Sequence, residues 1–216
     1  MRVVIFGGGA DLAKATIKNF LDSGNEVVAV YRTNPPKIPH KRLYLVQELE
    51  AEKGLETFDV LVTMTGSVSN NKLLDLSPEQ WNSVIEDTLT SVYRGIRLGL
   101  RSMREGGNIV VVGSIIGSRG GVGCTNYAAA KAGLVGLVRS VAQEQAVRKI
   151  CINLLELGYV NGGMGAKLNT WLKDVALSSI PLRRFCEPEE VAEAIAFLAK
   201  TRYMTGDILR FAGGLR

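Results

Sequence analysis

The sequence predicts a doubly wound α/β fold, a parallel sheet of about seven strands with helices on both faces, in one domain over residues 1–216. Three observations carry that expectation. Apolar runs of strand length recur at Val3–Phe6, Val27–Tyr31, Leu43–Val46, Val60–Met64, Ile109–Val112, Ile150–Leu155 and Ile208–Phe211. Stretches with helical spacing separate most of them; such alternation implies parallel pairing through right-handed crossovers, and strands buried on both faces read as continuous apolar runs. A chain of 216 residues with 46% hydrophobic content also suffices for one well-buried core and is short for two.

The first strand runs into Phe6-Gly7-Gly8-Gly9-Ala10-Asp11-Leu12-Ala13, after which Ala15, Ile17, Phe20 and Leu21 supply the apolar positions of a helix. The second ends at Tyr31-Arg32-Thr33. Thr33–His40 contains Pro35, Pro36 and Pro39 and reads as a loop, because proline fixes φ and lacks a donor. A long helix is expected from about Pro78 to Met103, with Ser77 as N-cap and proline at the first helical position. A second runs from about Asn126 to Val147, and both flank the central strands. The last helix starts near Pro188, with Glu189 and Glu190 at the positive end of its dipole and Val191, Ala194, Ile195 and Leu198 forming one stripe.

The net charge of +5 comes from scattered Lys and Arg residues, with no basic run and no aromatic interleaving, so nucleic-acid binding is not expected. The positive charge either meets an anionic cofactor or substrate or is solvated surface. Cys124, Cys151 and Cys186 lie far apart and have a single histidine, His40, to join them, so no metal site is expected. Unpaired cysteines and a strand starting close to Met1 point to a reducing cytoplasm, and no apolar stretch reaches the roughly 20 residues of a spanning helix. The expectation is a soluble cytoplasmic protein with no membrane partner.

A glycine turn between a strand and a helix lets backbone N–H groups face a pyrophosphate, although taken alone it also describes a tight turn without ligand. On the ligand reading, Gly7, Gly9, Ala10, Asp11 and Leu12 meet a dinucleotide. At the end of the second strand such a fold presents a residue to the adenosine ribose, where a carboxylate suits a free 2′-hydroxyl and arginine a 2′-phosphate. Arg32 therefore favours NADP(H) over NAD(H), the alternative being a solvated loop arginine. The sharpest feature is Tyr127-Ala128-Ala129-Ala130-Lys131, preceded by Ser114 at the end of a buried strand. The i to i+4 spacing puts Tyr127 and Lys131 on one helix face, where an ammonium favours the phenolate and brings the tyrosine's proton exchange towards neutrality. Ser114 would donate to a substrate oxygen as charge develops there. His40, in the proline-rich loop, reads as a surface residue.

With these residues in view, the chain resembles the short-chain dehydrogenase/reductase family nearly end to end, and 3-oxoacyl-(acyl-carrier-protein) reductases in particular. The resemblance lies in GNIVVVGSIIG (107–117), TNYAAAKAGLVGL (125–137), PLRRFCEPEEVAEAIAFLA (181–199) and YMTGDILRFAGGL (203–215). It implies a Rossmann-type sheet, an NAD(P)-dependent carbonyl reduction, and a small ketone or acyl-thioester substrate. It also implies a homo-oligomer, dimer or tetramer, paired through the two long helices. Ser114, Tyr127 and Lys131 match the family's catalytic serine, tyrosine and lysine, and Lys131 and Tyr127 also match its cofactor contacts.

Departures from the family pattern matter as well. The second and third glycines of its TGxxxGxG turn are Asp11 and Ala13, and Asp11 is read as capping the helix that follows. The NNAG segment is Thr63-Met64-Thr65-Gly66, so Thr65 and Gly66 are the expected cofactor contacts after the fourth strand. The fourth catalytic position, an asparagine in the family, is Thr88, which either holds a water in a proton relay or is structural. Val160 is expected to bond the nicotinamide amide through its backbone. The substrate loop is expected over 158–187 and includes Met164 and Trp171, the latter read as packing between loop helix and sheet. The loop between the second and third strands replaces a family helix and leaves the adenine side more open. These departures leave a second reading: a catalytically weakened dinucleotide-binding or regulatory protein on the same fold.

Overall fold

A computed structural model of the chain describes residues 1–9, 11–51, 54–162 and 170–216. Its strands are β1 (Arg2–Phe6), β2 (Glu26–Tyr31), β3 (Leu43–Gln47), β4 (Phe58–Thr63), β5 (Met103–Ser114), β6 (Cys151–Leu157) and β7 (Ile208–Phe211). They form one seven-stranded sheet in the order β3-β2-β1-β4-β5-β6-β7, every pair parallel. The expected strands are all present, with ends shifted by one or two residues except that β5 begins at Met103 rather than Ile109, and the order reverses between β1 and β4.

Alternation along the strands divides the core in two. Val3, Ile5, Val27, Ala29, Val60 and Val62 face α1 (Asp11–Asp22) and the late helix Pro188–Leu198, meeting Ile17, Phe20, Val191 and Ile195. Val4, Phe6, Val28, Leu61 and Ile109 face the opposite helices and meet Val92, Ile96, Leu134 and Val138. Each of the larger of these side chains removed from water contributes about 1.5–3 kcal/mol. β3 is the exception: as an edge strand with no helix before it, it leaves Tyr44 and Leu45 nearly half exposed, although its apolar run suggested burial on both faces.

The remaining helices are α2 (Glu48–Ala51), α3 (Pro78–Ile85), α4 (Ser91–Ser102), α5 (Ile116–Arg119), α6 (Thr125–Gln145), α7 (Thr170–Ser179) and α8 (Pro188–Leu198). Ser77 caps α3 in a reciprocal capping box with Gln80. The expected single helix from Pro78 to Met103 is instead α3 and α4 joined by a π-turn over Glu86–Thr90, and Met103 already belongs to β5. Such turns insert one residue into the helical ladder and redirect the side chains around them. His40 is half-buried in the loop before β3, where its Nδ1 accepts from the Arg42 N–H at 3.1 Å.

The turn after β1 depends on Gly7, whose φ is +87° and whose N–H donates to the Val30 carbonyl at 3.1 Å. A Cβ there would stand 3.1 Å from the Met64 carbonyl. Gly7→Ala is therefore expected to lower unfolding stability by about 1–3 kcal/mol in urea titrations, and an unchanged midpoint would show that the turn relaxes at no cost.

Candidate active site

The carboxyl ends of the strands bring three of the expected site residues together. Ser114 ends β5, and α6 crosses beside it carrying Tyr127 and Lys131 one turn apart. The Ser114 and Tyr127 side chains are hydrogen-bonded to each other. Ser114 Oγ also accepts the Ile116 N–H at 3.3 Å, which holds the oxygen while leaving its hydrogen to be donated. Burial pushes the Tyr127 hydroxyl up to about 12 against the opposing pull of the Ser114 hydrogen bond. The sequence suggested a tyrosine pulled towards neutrality by Lys131. In this structure the lysine amine stands 5.7 Å from the ring centroid and desolvation dominates, so the phenol stays protonated.

Lys131 is itself almost fully buried, and burial lowers it to about 8. Its Nζ donates to the Val112 carbonyl at 2.9 Å, its one acceptor among the described residues. An ammonium has three N–H groups, so donor capacity remains where the amine faces Gly66. A Cβ on Gly66 would lie 3.6 Å from Lys131 Nζ and 3.3 Å from Thr88 Oγ1. Thr88, fully buried in the π-turn, accepts from the Ser67 N–H and donates to the Ser67 carbonyl, both at 3.1 Å. Its hydroxyl hydrogen is therefore spent on the loop after β4 rather than on a water relay. Thr65 is tied to the same turn: its Oγ1 lies 2.8 Å from Ser91 Oγ, which donates to the Asp87 carbonyl.

A cleft of ≈ 260 Å³ opens beside this group, where the strand order reverses between β1 and β4. Open α/β sheets bind ligands at that position. Gly7, Gly9, Arg32, Thr65 and Gly66 all line it, as do two residues the sequence reading missed, Glu48 and Asp87. Arg32 donates to Asp87 Oδ1 at 2.8 Å and to Glu48 Oε2 at 3.1 Å. The strand register could have revealed Glu48: Tyr31 pairs with Gln47, so the next residues of β2 and β3 are neighbours. Asp87 had no such signal.

Comparison with known proteins identifies the family. The family model described as Enoyl-(Acyl carrier protein) reductase matches residues 44–216. The 3-oxoacyl-(acyl-carrier-protein) reductase FabG of Vibrio cholerae is 34% identical over 201 residues, covering 91% of this chain and 80% of that protein. The chain belongs to the short-chain dehydrogenase/reductase family. By that membership it is an NAD(P)H-dependent oxidoreductase. FabG of Vibrio harveyi is 38% identical over 161 residues, 73% of this short-chain reductase and 66% of its own length. A short-chain dehydrogenase from Francisella tularensis superposes with a TM-score of 0.89 over 99% of this chain and 97% of its own, at 19% identity, which speaks to the fold alone.

The remaining expected contacts of this reductase are placed as follows. Leu12 lies in the first turn of α1, where N–H groups have no intrahelical acceptor, and its side chain packs on the core. Ala10 and Met164 lie outside the described residues, as does the side chain of Asp11, on which the expected capping role depended. Val160 bridges Cys186 through the peptide groups on either side of it, so its own N–H and C=O face the other way. Trp171 corrects the packing expectation: it is 69% exposed, because α7 buries Ala176 and turns Trp171, Leu172 and Val175 outward.

The residues present fit a dinucleotide. The cleft sits at the topological switch, a buried ammonium with spare donors stands next to Gly66 of its lining, and a guanidinium lines its outer part.

Proposed function

We propose that the chain is an NADP(H)-dependent carbonyl reductase acting on a 3-oxoacyl thioester or a small ketone, with Tyr127 as proton donor. The convergence of Ser114, Tyr127 and Lys131 carries this reading. Tyr127 keeps its proton at neutral pH, which reduction requires of the donor, and the Ser114 hydrogen, held by the phenol before substrate arrives, would turn to stabilise negative charge on a carbonyl oxygen. The Lys131 ammonium would bond the nicotinamide ribose with its spare N–H groups, Val160 the carboxamide, Arg32 the 2′-phosphate, and Gly9, Ala10 and Leu12 the pyrophosphate. When bound, the nicotinamide supplies the hydride. Thr88 holds the loop after β4 through Ser67 and so positions Gly66 beside the lysine.

The substrate class follows the name of the FabG relatives and the stretch 158–187 as substrate loop, where Tyr159 stacks on Phe185 at 5.5 Å. A homo-oligomer paired through α4 and α6 belongs to the same proposal, supported by the half-exposed Tyr93 on α4 and the open surface at Gly136 on α6. So does a cytoplasmic location; no helix among the described residues is long and apolar enough to cross a membrane. The reading as a weakened, regulatory protein is not favoured, because a scaffold has no use for a buried ammonium beside a buried phenol.

NADPH and NADH titrations followed by nicotinamide fluorescence and thermal unfolding test the proposal. At 100 times Kd the bound cofactor is expected to raise Tm by roughly 5–10 °C. Loss of absorbance at the NADPH band on adding a 3-oxoacyl thioester should follow. If neither cofactor binds, the reductase reading fails.

A further inference from the structure

We propose that Glu48 and Asp87 are the residues that set this reductase's choice between NADPH and NADH, by clamping Arg32 between two carboxylates at the outer end of the cleft. The inference rests on the reductase reading and adds to it a pair of residues that temper the arginine. Arg32 alone would offer a positive charge to a 2′-phosphate. With Asp87 Oδ1 at 2.8 Å and Glu48 Oε2 at 3.1 Å, the three side chains carry a net negative charge. That arrangement offers acceptors to the ribose hydroxyls of NADH, whereas a phosphate must displace a carboxylate from the guanidinium and meet the one it displaced.

The clamp is built by three separate elements. The register of β2 against β3 places Glu48 next to Arg32, the π-turn delivers Asp87, and the loop that replaces a helix after β2 leaves the Arg32 side chain 55% exposed. That exposure sets the size of the effect. Solvent-exposed ion pairs are weak, so the clamp opens for NADPH and costs it affinity without excluding it, by about tenfold for the two pairs together.

The test measures Kd for NADPH and for NADH, by fluorescence and thermal shift, on the unsubstituted protein, Glu48→Gln, Asp87→Asn and the double variant. The expected result is a rise in the preference for NADPH, expressed as Kd(NADH)/Kd(NADPH), of about threefold in each single variant and tenfold in the double. Because Asp87 lies in the π-turn and its replacement could disturb Thr88, Glu48→Gln stands as the independent reading. The same substitution made in an Arg32→Ala background should move the ratio less, since the clamp then has nothing to hold and only the direct contact of carboxylate and ribose or phosphate remains. Binding of both cofactors with a constant ratio across the variants overturns the clamp while leaving the reductase reading intact. So does an equal shift with and without Arg32. Binding of neither cofactor to the unsubstituted protein overturns the reductase reading itself.

Discussion

Tyr127→Phe is expected to lower kcat for carbonyl reduction by about a thousandfold while changing the affinity for NADPH by less than about tenfold. The substitution removes one oxygen from a side chain that is buried on α6, so the packing stays and the proton donor goes. No other described acid is placed to replace it. The Ser114 hydroxyl is far too weak an acid to protonate an alkoxide, and Lys131 is held beneath the ring, bonded to the Val112 carbonyl. Ser114 also loses its partner on the phenol, so its hydrogen becomes less well directed and the loss falls on kcat rather than on KM. Steady-state turnover with a 3-oxoacyl thioester, together with the cofactor titration, separates the two effects. Turnover within a factor of a few of the unsubstituted rate would remove Tyr127 from the chemistry.

Lys131→Met should abolish turnover and yet stabilise the fold at neutral pH. Burial lowers the lysine from 10.5 to about 8, so ionising it costs more in the folded than in the unfolded chain. That cost is fully present below pH 8, where both states hold the proton, and is relieved as pH rises from about 8 to 10.5, where the unfolded chain binds more protons than the native one. A shift of that size corresponds to about 3 kcal/mol, and the lost bond to Val112 returns about 1. Urea unfolding at pH 7 should therefore show the variant about 2 kcal/mol more stable, with the gain gone by pH 10.5. A variant that is less stable at pH 7 would mean that the amine is neutral or better solvated than its burial implies. The outcome bears on function because a charge kept in an unfavourable place is explained by what it does for cofactor and substrate.

How much of this was legible beforehand follows from the range of each interaction. The seven strands could be read because a strand buried on both faces presents a continuous apolar run, as Val3–Phe6 of β1, Val27–Val30 of β2 and Val60–Val62 of β4 do, while β6 keeps the buried polar Asn153 and Glu156 within its run. β3 misled for a related reason: an apolar run records strand propensity and says nothing of whether a helix covers it. Tyr127 and Lys131 were legible as a pair because helical spacing alone puts them on one face, and Ser114 because it terminates a buried strand. The sequence by itself thus determined the sheet, most of its helices and the pairing of Tyr127 with Lys131 on one helix face, all of which rest on periodicities within a few residues of one another. Only the tertiary structure decided that Tyr127 keeps its proton, that the Thr88 hydroxyl is spent on Ser67, that the long helix breaks into a π-turn at Glu86–Thr90, and that Arg32 faces two carboxylates. Desolvation, crossing helices and hydrogen bonds between residues 21 or 55 positions apart depend on how the chain returns to itself, which local pattern does not record.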